Sequence, residues 1–162
     1  MGKQHPIELF MPPNMLKAKA GNGGGFDLLA IKRAEMAVDT LKSEFNDWVA
    51  EDVARLCAAR DKFASNPCVE TAADLFRASH DIRGQAGTFD FPLVARVAGS
   101  LSKLIEEIGT PEALPVSLID AHVAAVRAIF RDQIKDSTDA VALAVVEELE
   151  SRSAQALHAV AR

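Results

Sequence analysis

The chain has 162 residues, 49% of them apolar and 25% charged, which suits one compact domain with a substantial core. A formal net charge of −5, with no clustered Lys/Arg run, argues against nucleic acid as a partner, because phosphate backbones are met by basic surfaces. Cys57 and Cys68 form neither a CxxC pair nor a disulfide framework, no apolar run approaches a membrane span, and the start Met1-Gly2-Lys3-Gln4-His5-Pro6 lacks a signal-peptide core; a reduced, cytoplasmic setting without a membrane is expected.

Pro12-Pro13 and the run Gly21-Asn22-Gly23-Gly24-Gly25 set off an N-terminal tail, residues 1–25, from a domain spanning 26–162. Within the tail, Ile7-Glu8-Leu9-Phe10-Met11 is apolar enough to dock but too short to fold alone. From Phe26 onward apolar residues recur at helical spacing: Val38, Leu41, Phe45, Trp48, Val49, Val53, Leu56 and Phe63 predict one long or kinked helix. Asn66-Pro67 is expected to stop it and start a second helix running to about Phe89. Asp90 with Pro92 repeats the start signal, and Leu93, Val97, Leu101, Leu104 and Ile108 form a single stripe along a third helix, which Gly109-Thr110-Pro111 ends. After Pro115 a fourth helix would turn Ile119, Val123, Val126, Ile129 and Phe130 inward. A fifth, capped by Asp136 or Ser137, would bury Ala142, Val145, Val146, Leu149, Ala156 and Val160. No stretch alternates with a period of two, so the predicted fold is all-α. It is expected to be an antiparallel up-and-down four-helix bundle with an extended or additional N-terminal helix.

The informative segment is Ala78-Ser79-His80-Asp81-Ile82-Arg83-Gly84-Gln85-Ala86-Gly87-Thr88-Phe89, which sets two glycines inside a predicted helix. Each costs about 1 kcal/mol relative to alanine in a helix interior. At 100° per residue, Leu75, Ala78, Ile82, Ala86 and Phe89 share the inner side and His80 points the opposite way. Ala73 and Gly87 lie in line with His80, and Phe76, Arg77, Arg83 and Gly84 fall within about 60° of it. The imidazole is thus expected on an exposed, nearly bare strip. A phosphoryl carrier needs that arrangement: a ring nitrogen free of its proton and open to a partner, a cation one turn away for the anionic oxygens, and little bulk where the partner approaches.

His80-Asp81-Ile82-Arg83-Gly84-Gln85-Ala86 resembles the signature of histidine-containing phosphotransfer domains, His-x-Leu/Ile-Lys/Arg-Gly-x-Ala/Ser. The resemblance implies a four-helix bundle whose exposed histidine exchanges phosphoryl groups with receiver-domain aspartates of response regulators or hybrid histidine kinases. By position, His80 would be the phosphoacceptor, Arg83 the cation that steadies the phosphoryl group, and Gly84 the small residue that lets the receiver dock. Ala73, Phe76, Arg77 and Gly87 would border the partner, with Ser102 and Lys103 as further polar candidates on the next helix. No cofactor is expected in this chain; Mg2+ would sit on the partner receiver. The resemblance favours a monomer and a stoichiometric carrier rather than a turnover enzyme. Two departures stand out: the family commonly has glycine where this chain has Asp90, read as a helix cap, and lysine is more usual than Arg83.

The same residues admit other readings. A helical adaptor could use the His80 face only as a docking surface. A hydrolase or transferase with His80 as general base would need an acid or nucleophile on that face, and none lies within a turn. His122 falls near the apolar stripe of its helix and reads as a satisfied, partly buried histidine, while His5 and His158 look incidental. There is no HExxH, no Cys/His cluster with metal spacing, and no phosphate-binding glycine loop: Gly23-Gly24-Gly25 has no strand before it and no lysine–serine pair after it.

Overall fold

The computed structural model describes residues 28–160, with the side chains of residue 39 and residues 41–48 set aside. The tail with its Ile7–Met11 segment, His5, and the predicted core positions Leu41, Phe45 and Trp48 lie outside what is described. Five α-helices and one short 3-10 helix account for the described secondary structure, and no strand occurs among these residues: α1 (Leu28–Ser65), α2 (Val69–Thr88), α3 (Pro92–Ile108), the 3-10 helix (Pro111–Ala113), α4 (Val116–Arg131) and α5 (Ala140–Val160). The chain divides into two units, Met1–Lys42 and Ser43–Arg162. In the first, the described side chains, among them Leu28, Leu29 and Met36, are exposed. In the second, the helices pack around one core.

The 38 residues of α1 contain neither proline nor glycine, so nothing interrupts the helix until Asn66-Pro67. The cap of α2 falls two residues later than the sequence suggests. Cys68, in extended conformation, takes the N-cap position, and the Thr71 hydroxyl accepts from its N–H at 3.1 Å while donating to the Asn66 carbonyl at 2.7 Å. Asn66 and Pro67 therefore lie before the helix rather than in it.

Between α2 and α3 the reading of Asp90 as a cap is corrected. Phe91 holds the N-cap position of α3, with Pro92 in the first turn as expected, and Asp90 has φ of 62°. The Phe91 N–H reaches back to the Ala86 carbonyl at 3.0 Å, the long bond of a helix terminus closed by a left-handed residue. Glycine suits that residue because it has no Cβ to clash; aspartate tolerates it at some cost. This accounts physically for the glycine common at the position in the family that the sequence resembles. Gln133, with φ of 53°, closes α4 in the same way. At the start of α5 the cap is Asp139, whose carboxylate accepts from the Ala142 N–H at 2.8 Å, while Asp136 caps the preceding turn at Thr138.

Leu56 and Phe63 of α1, Leu75 of α2, Leu93, Val97, Leu101 and Leu104 of α3, Ile119 and Val126 of α4, and Val146 of α5 are at most 1% exposed and form the centre of the core. The predicted α3 stripe is buried in full. Val38 of α1 and Val145 and Val160 of α5 depart from expectation and are exposed; in α5 the inner face is narrower than the apolar sequence and runs Ala142, Val146, Leu149, Ser153. Paired charges tie the helices at their rims: Arg60 to Asp120 joins α1 to α4 at 2.6 Å, and Arg96 grips Glu150 with two bonds of 3.0 and 2.6 Å between α3 and α5.

Candidate functional site

Helix α2 carries the site because its two faces differ so sharply. Leu75, Ala78, Ser79, Ile82 and Ala86 are buried, and α2 packs against α3 along its length. His80 is on the opposite side, exposed, with Arg77, Arg83, Gly84 and Gly87 exposed beside it and Ala73 and Phe76 half-buried. The helix continues to Thr88, so both glycines are interior helical residues rather than an early end.

The imidazole has one aromatic neighbour among the described residues. Phe76, one turn earlier, lies with its ring centroid 5.7 Å from that of His80 at an interplanar angle of 30°. This contact supports one side of the ring without occupying either nitrogen. Behind it, the Ser79 hydroxyl donates to the Phe76 carbonyl at 2.8 Å and accepts from Ser102 at 3.0 Å; Ser102 also bonds the Ala98 carbonyl at 2.8 Å. Ser102 is thus turned into the α2–α3 seam, only 2% exposed, and does not join the open strip. Lys103 does face solvent, where it pairs with Glu107 at 3.7 Å, and Arg77 pairs with Asp74 at 3.4 Å. Both pairs are exposed and cost little to exchange for another anion.

A methyl group placed on Gly84 or on Gly87 would meet nothing beyond its own helix within 4 Å. Nothing among the described residues therefore requires glycine at either place, and the helix bears the propensity cost with an open surface there. Arg83 differs from the other two cations. Among the described residues its guanidinium has neither a hydrogen bond nor an ion pair, and its methylene stem lies across α3 against Gly99.

The sequence reading missed two contributors, Ser79 and Gly99. Ser79 could not be separated from an ordinary buried small residue. Gly99 did leave a signal, a glycine inside the strongly amphipathic α3, but its partner is 16 positions back in the chain and only folding brings them together. Among the described residues no group of three His, Cys, Asp or Glu side chains could hold a metal, and no helix is long and apolar enough to cross a membrane.

The other buried polar centre is separate from this strip. His122 of α4 is fully buried, more so than the sequence suggests. Its Nδ1 lies 2.8 Å from the Leu118 carbonyl, an acceptor only, so Nδ1 carries the proton and Nε2 accepts from Ser100 or Ser153, 3.1 and 3.3 Å away. Burial holds the His122 pKa below the ordinary histidine value, opposed in part by the Leu118 bond.

An all-helical bundle with an exposed histidine midway along one helix, backed by an apolar face and flanked by cations and glycines, is the architecture of a phosphohistidine carrier. The chain belongs to the Hpt domain family, whose model matches residues 40–143. No curated protein and no solved structure matches the chain significantly. Membership indicates a phosphotransfer role in phosphorelays, and domains of this family act as phosphohistidine carriers that meet receiver domains or kinases.

Proposed function

We propose that His80 is the phosphoacceptor of this chain and that it exchanges a phosphoryl group with receiver-domain aspartates of response regulators or hybrid histidine kinases. The observation that carries this reading is the pairing of an exposed imidazole with two glycines that nothing among the described residues requires. In the forward step a proton-free ring nitrogen of His80 attacks the phosphorus of an aspartyl phosphate. The N–P bond forms as the acyl P–O bond breaks, and the aspartate departs as a carboxylate. The loose transition state of such transfers puts little demand on covalent machinery and much on alignment and charge. Arg83 supplies charge from this side, and Mg2+ held by the receiver supplies it from the other. Gly84 and Gly87 keep the approach clear, and Ala73, Phe76 and Arg77 border the docked partner, with Lys103 at its margin. The carrier works in the cytoplasm and turns over only through its partners.

Mixing the protein with a phosphorylated receiver domain should move label to this chain as an acid-labile, alkali-stable phosphohistidine, and His80→Gln should abolish it. Undiminished labelling of that variant would place the acceptor elsewhere; failure of the wild type with a panel of receivers would leave the His80 face as a docking surface alone.

A further inference from the structure

We propose that Gly99 of α3 is a positioning residue for transfer at His80, acting by giving the stem of Arg83 a place to lie. The inference rests on the reading of His80 as acceptor and Arg83 as its cation, and it extends that reading to a residue on another helix.

Gly99 is half-buried in the interior of α3, a helix otherwise built of strong formers and core residues. Its φ is not in the left-handed region, so the backbone does not call for glycine, in contrast to Gly109 at the end of the same helix, with φ of 65°. The reason must therefore be spatial. A methyl group on Gly99 would come 3.2 Å from Cδ of Arg83 and 3.7 Å from its Cγ, and within 4 Å it would meet no other neighbour. Arg83 is the one side chain that gains from the missing methyl.

That contact matters because, among the described residues, no hydrogen bond or ion pair holds Arg83. Its guanidinium has no anionic partner among the described residues, although Glu106 and Glu107 line the same groove of about 620 Å3 between α3 and α5. The stem is consequently steered by packing rather than by a counter-ion, and the charge remains available to an arriving phosphoryl group. Carbon atoms prefer about 3.5–4.0 Å, so alanine at 99 would lift the stem by a few tenths of an ångström and a larger side chain would turn it out of the notch. Gly84 and Gly99 then do different things: one clears space for the partner, the other for the chain's own cation.

The test is a double-mutant cycle on the full chain with a phosphorylated receiver as donor, reading the transfer rate and the lifetime of the phosphohistidine. Gly99→Leu should slow transfer about tenfold, matching Arg83→Ala, and Gly99→Ala should act in the same direction by about twofold. In the Arg83→Ala background either change at 99 should have no further effect, and both variants should keep the helical circular-dichroism signal. If Gly99→Leu fails to fold, the alanine variant decides by the same coupling. Losses at 83 and 99 that add independently, a Gly99 variant as fast as wild type, or an Arg83→Ala protein that transfers normally would each overturn the proposal. Absence of label from His80 in the wild type would instead remove the underlying reading.

Discussion

Two histidines, on helices α2 and α4 that each pack against α3, show what burial does with one side chain. His122 is enclosed by α3, α4 and α5, with its proton directed to the Leu118 carbonyl and its other nitrogen facing Ser100 and Ser153. His80 is exposed, and among the described residues its ring meets Phe76. A ring whose hydrogen bonds are all made inside the fold contributes to stability and cannot react with a partner. A ring whose nitrogens meet only solvent contributes little to stability and is chemically available.

The sharpest way to break this comparison is to exchange the losses. His80→Gln should remove phosphoryl labelling entirely and change the unfolding free energy from denaturant titration by less than about 0.5 kcal/mol, the range of an ordinary surface substitution. His122→Ala should do the reverse, costing about 2–4 kcal/mol by leaving a cavity and depriving the Ser100–Ser153 pair of its acceptor, with His80 still labelled under conditions where the protein is folded. Labelling that fails in the folded His122 variant would mean that the two centres are not independent.

The glycines extend the contrast between stability and availability. Gly84→Gln should obstruct docking and slow transfer by about a hundredfold, the scale of an ångström-level misalignment. In the same variant the helix gains propensity, and Gly84→Ala or Gly87→Ala should each raise stability by up to about 1 kcal/mol, because the added methyl meets nothing. Gain of stability without loss of transfer would show that the open surface serves no partner.

Acidification sharpens the difference in another way. The His122 pKa is depressed in the fold, so the unfolded chain binds the proton more tightly. Stability is then fully present above the ordinary histidine value and falls as pH drops below it, until the folded-state value is reached. The slope between those limits should be positive and below the one-proton limit of about 1.4 kcal/mol per pH unit, and it should flatten in His122→Ala. Denaturant titrations at stepped pH measure it directly. The smallest effect belongs to the connection after α2, where Asp90→Gly should relieve the left-handed backbone and stabilise by up to about 1 kcal/mol with transfer unchanged.

How much of this was legible in the sequence depends on the reach of each interaction. The α3 stripe from Leu93 to Ile108 and the outward position of His80 follow from helical period alone, a local property, and both hold in the fold. Caps were less legible. Cys68 displaces Asn66 and Asp139 displaces Asp136, because neighbouring polar residues compete for one backbone N–H and the fold selects among them. Asp90 read as a cap since aspartate serves both there and at left-handed positions, and composition does not separate the two. Least legible were contacts between helices. Ser102 looked like a surface neighbour of the site and is instead bonded to Ser79, and the notch that Gly99 offers Arg83 has no signature in either segment.

The central claim is that the phosphoryl group rests on one imidazole and no other. Phosphorylating the chain through a receiver, digesting it at neutral to mildly alkaline pH and mapping the modified peptide by mass spectrometry tests that claim most directly. The account predicts phosphate on the α2 peptide at His80, with the peptides containing His122 and His158 unmodified; phosphate on any of those others, with His80 bare, would contradict it.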